Sequence, residues 1–116
     1  MDFNTEEQKL ICLKYNTEYY AVDSELKIGI SKGALAGVMP LNGLRHPIEG
    51  DTSGWYIWGG EEFSDDPDFF LPFHLSHITE ILPRIAKYLA LPPGWRFLVA
   101  PHDYEDVWYE EKLLSL

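Results

Sequence analysis

His74 and His77 stand three residues apart, and Asp65, Asp66 and Asp68 come shortly before them. Imidazole nitrogens and carboxylate oxygens are donors that hold a divalent metal, and a helix would place positions i and i+3 on one face. A metal site needs three or four ligands, yet no second Cys/His pair has ligand spacing, and His46 and His102 could join only through the fold. The competing reading has both histidines flanking a helix start, half exposed and hydrogen-bonded. Glu61-Glu62 and Asp65-Asp66 are paired carboxylates, but such pairs do acid–base work only where burial drives their pKa values apart. Solvated acids on a loop titrate normally. Cys12 lies in the apolar run Leu-Ile-Cys-Leu, where a thiol behaves as a small hydrophobe. Ser53 lies in Thr-Ser-Gly-Trp, which is not a nucleophile elbow, and no glycine pattern matches a phosphate loop or a dinucleotide fold. The expectation is no catalytic residue, no metal and no cofactor. A small metal- or carboxylate-dependent enzyme built on His74, His77 and the acids is the alternative, and a regulatory subunit of a larger complex is a third reading.

The residues that could do chemistry by binding are denser. Residues 51–70 hold two tryptophans, a tyrosine, three phenylalanines and six carboxylates. Acids prefer water, whereas large rings prefer burial or a partner, so a segment rich in both suits a docking surface. Trp58, Glu61, Glu62, Asp65, Asp66 and Asp68 are the expected partner-binding residues. Alternation along a strand at 55–58 puts Trp55 and Ile57 on one face and Tyr56 and Trp58 on the other. The bland alternatives are core anchoring for the tryptophans and capping of the following helix by Asp68 or Ser64.

Nine basic against nineteen acidic residues give a net charge of −10, which repels phosphate backbones and suits a basic protein partner. Nucleic acid is therefore not an expected partner. A single cysteine excludes an intrachain disulfide and fits a reducing compartment. The acidic start lacks the apolar stretch of a signal peptide, and no apolar run is long enough to span a bilayer. These features predict a cytoplasmic protein with no membrane partner; they set no oligomeric state.

The elements that must position these residues read as a single α+β domain over residues 1–116. Thr5 and Gln8 have capping-box spacing for a short helix, with a strand at 9–15 as the alternative. Residues 19–22, Lys27–Ser31, 55–58, Trp95–Ala100 and 107–109 read as strands. Residues 31–37 read as a turn or one helical turn. A strand could begin at 38–41, confined by Pro40 to a sheet edge. Residues 41–50 read as a loop, from Asn42-Gly43, Pro47 and Gly50, and 61–68 as an acidic loop. Leu75, Ile78, Leu82, Ile85 and Leu89 recur at spacings of three and four, the stripe of an amphipathic helix interrupted at Pro83. The expected fold is a small, mainly antiparallel sheet with one Pro-interrupted amphipathic helix packed on one face.

Several of these residues together resemble a family. Asp51-Thr-Ser-Gly-Trp55, Gly60-Glu61-Glu62 and Ser64-Asp-Asp-Pro-Asp-Phe69 are similar to the pattern of a bacterial domain first catalogued as of unknown function. That domain is now grouped as the thirty-third class of immunity proteins of polymorphic toxin systems. Pro83 with Ile85, Tyr88-Leu89 and Pro93-Gly94-Trp95-Arg96-Phe97 continue the likeness, which covers about residues 28–100. The chain departs from the pattern at Pro40-Leu41, where the family often has Arg-Glu, and at Thr52, inserted between Asp51 and Ser53. Tyr104-Glu-Asp-Val-Trp108 lies outside the match. The resemblance implies a non-catalytic inhibitor that binds and neutralises a toxin domain, a basic one by charge.

Overall fold

The computed structural model describes residues 5–60 and 69–114. Six strands form one mixed sheet: β1 (Lys27–Ser31), β2 (Leu41–Arg45), β3 (Thr52–Gly59), β4 (Phe70–His74), β5 (Trp95–Ala100) and β6 (Tyr104–Tyr109). Their order is β4-β1-β3-β2-β5-β6. The β1–β3 pair is parallel and the other pairings are antiparallel. Helices are short: α1 (Thr5–Lys14), α2 (Lys32–Leu35) and α3 (Ile78–Ile81), with 3-10 turns at Leu75–His77, Pro83–Tyr88 and Glu111–Leu114. The class is α+β.

At the start of the chain the helix prevails over the strand. Gln8, Ile11 and Cys12 are buried at spacings of three and one, which is helical and not alternating. Glu6 and Glu7 in the first turn and Lys14 in the last suit the helix dipole. α1 docks on the segment after α3: the Gln8 amide donates to Ala86 O (2.9 Å), and the Cys12 thiol faces Ala90 O (3.6 Å). Residues 19–22 are not a strand.

The long helix expected over 75–89 forms instead as three short pieces. Leu82 precedes Pro83, and the proline ring disfavours helical backbone in the residue before it. Leu82 accordingly sits at φ −141°, ψ 72°, and the chain restarts as a 3-10 turn with Pro83 in its first position. The apolar stripe still goes inside: Leu75, Ile78, Ile85 and Leu89 are fully buried.

The larger correction is β2. Residues 41–45 are not loop but a central strand with all five residues buried, and Pro40 precedes the strand without confining it to an edge. Asn42-Gly43 is a turn signal only when both residues face solvent. Here a Cβ at position 43 would overlap the Phe97 ring, so glycine is needed for packing. The Asn42 amide donates to Gly60 O at 2.7 Å and to Pro40 O at 3.2 Å.

One face of the sheet carries the core. Ile28, Ile30, Trp55, Ile57, Leu41, Phe97, Val99 and Val107 pack with α1 and the segment 75–91. Arg45, at the end of β2, is fully buried on this face. Its Nε donates to Ser53 O (3.0 Å), and its Nη1 to Leu91 O (2.8 Å) and Leu89 O (3.4 Å). The guanidinium also lies over the rings of Tyr20 and Trp55, 5.0 and 5.6 Å from their centroids. Burial pulls its pKa down to about 10, so it remains charged at neutral pH.

Arg45→Met should therefore be costly although it removes a buried charge, because the acceptors stay behind without their donor. A loss of about 2–4 kcal/mol is expected from urea unfolding, with an unchanged denaturant slope. Arg45→Lys should lose a comparable amount, because a single ammonium cannot span the acceptors that the guanidinium fork reaches.

Candidate functional site

The strand registers give the sheet a second, outer face. Tyr56 and Trp58 of β3, Leu44 of β2, Arg96 and Leu98 of β5 and Trp108 of β6 share it. Leu44 and Trp58 form a small cluster with Leu113, from the Glu111–Leu114 turn, and with Tyr56, Phe69 and Phe70. His46 Nδ1 lies 3.1 Å from Leu113 O, and the His46 ring meets Tyr56 edge-on at 5.7 Å. Arg96 lies over Trp58 (5.9 Å) and Trp108 (5.2 Å) and pairs with Glu110 at 3.1 Å. A cation between two indoles both stiffens that surface and keeps it wet at its rim.

Trp58 thus stands on the outer face, as strand alternation requires, with 5% of its surface exposed. More of this face reaches solvent through the half-buried Tyr56, Leu98 and Trp108 and the exposed Tyr104 and Asp106. Glu61, Glu62, Asp65, Asp66 and Asp68 lie outside the described residues. The described residues on either side, Gly60 and Phe69, lie at the end of β3 and against the outer cluster. Phe69 leads into β4, and the capping candidates Ser64 and Asp68 also lie outside the described residues.

The other chemical candidates find structural roles. His74 ends β4 in extended backbone, and His77 ends the 3-10 turn, so the two do not share a helix face. His77 lies 4.0 Å from Glu80. Among the described residues no group of three or more His, Cys, Asp or Glu could hold a metal ion. Burial pushes the Cys12 thiol pKa up, which removes its nucleophilic form. The Ser53 hydroxyl is buried, donates to Lys27 O (2.8 Å) and accepts from the Trp55 amide (3.3 Å), bracing β1 against β3.

Sequence reasoning missed Glu105, which stands on the core face of β6. Its Oε2 accepts from Tyr15 (2.6 Å) and Lys14 (2.9 Å), and its Oε1 accepts from Tyr88 (2.5 Å), with Lys87 at 3.9 Å. Burial alone would raise its pKa, but the hydrogen bonds from Tyr15, Tyr88 and Lys14 and the Lys14 charge outweigh that and hold it down at about 2. A carboxylate held so low is a weak base at neutral pH. Burial and Glu105 raise the pKa of both tyrosines, so they stay protonated donors. The cluster fastens α1 and the Pro83–Tyr88 turn to β6. Beside it a cleft of about 450 Å³ is lined by Met39, Arg84, Lys87, Tyr88, His102 and Glu105, among others. No local signal could have shown Glu105, because its partners lie 17 to 91 residues away.

A family model for the Imm33-like domain matches residues 7–110, so the chain belongs to the Imm33-like family. The match reaches beyond 28–100 to take in nearly all of α1 and the whole of β6, including Tyr104–Tyr109. No curated protein and no solved structure matches the chain.

Glu105 also makes a pH prediction. Its folded pKa is depressed from 4.5 to about 2, so its stabilisation is present above about pH 4.5 and is lost as pH falls toward 2. The side chain is 14% exposed, and the shift corresponds to about 3 kcal/mol. Glu105→Gln should be less stable than the parent at pH 7 by an amount of that order. The difference should shrink steadily below pH 4.5 in urea unfolding series run on both proteins.

Proposed function

We propose that this Imm33-like chain is an immunity protein: it binds a protein toxin and neutralises it by occupying a surface the toxin needs, with no catalysis of its own. The observation that carries this reading is the family match across residues 7–110. The charge supports a basic toxin domain as the partner, because a protein of net charge −10 attracts one over distances longer than contact. The contact residues of this reading are Glu61, Glu62, Asp65, Asp66 and Asp68 with the outer face of β3, where Trp58, only 5% exposed, supports the neighbouring rings of Tyr56, Phe69 and Phe70. Rings anchor such an interface, and acids at its rim select the sign of the partner. The chain acts as a single domain in the reducing cytoplasm, where Cys12 is a free, buried thiol. Among the described residues no helix is long and apolar enough to cross a membrane.

Purification of the chain from its native cells, with identification of what travels with it, tests the reading. Co-expression with the toxin so identified should protect cells from it. The association rate should fall by at least about tenfold between low salt and 0.5 M salt. Asp65→Lys with Asp66→Lys should weaken the complex about tenfold or more, while circular dichroism shows an unchanged fold. Absence of any basic partner, or binding indifferent to salt, would count against the proposal.

A further inference from the structure

Two edges bound the sheet, β4 and β6. β4 carries Pro72 at its middle, opposite Gly29, and a proline on an edge blunts further pairing. β6 has no proline. The Glu110 amide donates to Gly94 O at 2.7 Å, which sets the phase of the β5–β6 ladder. The register then runs without a break from Trp95↔Tyr109 to Ala100↔Tyr104. Alternation in an antiparallel pair turns the amides and carbonyls of Glu105, Val107 and Tyr109 away from β5. No described strand pairs with that side. Three donors and three acceptors therefore stand in a row where a seventh strand would lie.

The side chains along this edge select the strand that fits. Tyr104 and Tyr109 are 55% and 48% exposed, a large ring at each end. Asp103, on the turn, and Asp106, on the outer face, are exposed. Among the ion pairs of the described residues neither has a lysine or arginine, whereas Glu105 is already held by Lys14 and Lys87 and Glu110 by Arg96. The uncompensated charge on the edge is thus negative. Cross-strand pairs of opposite charge are favourable, and like charges opposite one another are not. A second copy of the chain would bring the same acids and a further net charge of −10.

We infer that β6 is a docking edge for an extended, lysine- or arginine-bearing segment of a protein partner, which joins the sheet as a seventh strand with a basic side chain beside Asp106. This rests on the reading of the chain as a toxin-binding protein and gives that partner a surface and a backbone conformation. Main-chain hydrogen bonds along β6 would supply affinity, and the tyrosines and Asp106 would supply selectivity.

The test uses the whole chain and a synthetic peptide alternating lysine and threonine, with a glutamate–threonine peptide as control. The amides of Glu105, Val107 and Tyr109 should gain at least about tenfold protection from hydrogen exchange with the lysine peptide alone. Tyr109→Pro removes an outward amide that β5 does not use, and Tyr109→Thr removes the same ring but keeps the amide. The proline variant should bind the peptide about tenfold more weakly than the threonine variant. Asp106→Lys, which leaves the backbone intact, should weaken binding similarly. Equal affinity of the two Tyr109 variants, protection elsewhere, or no binding would overturn the assignment. So would a concentration-dependent dimer that protects the same amides without peptide, which would make a second copy the occupant. A toxin neutralised equally well by the Tyr109→Pro variant would overturn the edge assignment and leave the immunity reading standing. A lysine peptide that pairs on β6, with no toxin neutralised, would support the edge and overturn that reading.

Discussion

The fold depends on how it accommodates one buried cation. Arg45 is sealed from solvent with no carboxylate beside it among the described residues. Removing a guanidinium from water is costly unless oriented dipoles replace the lost hydration. Here the dipoles are carbonyls from two distant parts of the chain, Ser53 on β3 and Leu89 and Leu91 at the exit from the Pro83–Tyr88 turn, with the faces of Tyr20 and Trp55 alongside. Trp55 Nε1 donates to the same Leu89 carbonyl at 3.0 Å. The charge therefore fixes where the helical layer meets the sheet, which apolar packing alone would leave free to slide.

Glu105 handles burial of the opposite charge differently. It gathers phenols and ammonium groups from α1 and from the Pro83–Tyr88 turn, and it keeps a partial path to water. The two charged joints act on the same layer: Arg45 receives the chain just after the Pro83–Tyr88 turn, and Glu105 receives the turn itself together with the end of α1. The outer face is left free of both joints, with Arg96 between Trp58 and Trp108 as its own ordering contact.

The sequence made part of this legible. The bulky run 55–58 lies between glycines and 95–100 runs from Gly94 to Pro101, and both fold as strands. The stripe from Leu75 to Leu89 named residues that are buried, although the proline broke the helix meant to carry them. β2 was hidden because Asn42-Gly43 imitates a turn, and the reason for its glycine is a ring from position 97. Alternation separated Tyr56 and Trp58 from Trp55 and Ile57, and the structure shows that the second pair faces the core. Arg45 and Glu105 could not be singled out, because what makes each of them matter is a set of groups brought in from elsewhere in the chain.

The position of Leu113 over Leu44 and Trp58 bears on how the protein is made. Synthesis runs from residue 1 upward, so β1, β2 and β3 exist before β5, which must pair along β2, and before residues 89–91, which must receive Arg45. A nascent chain at that stage holds an unsatisfied cation and a bare indole. The outer cluster is complete only once Leu113 packs on Leu44 and Trp58. Closure of the two faces therefore waits on contacts from late in the sequence: β5 along β2, residues 89–91 around Arg45, and Leu113 over Leu44 and Trp58.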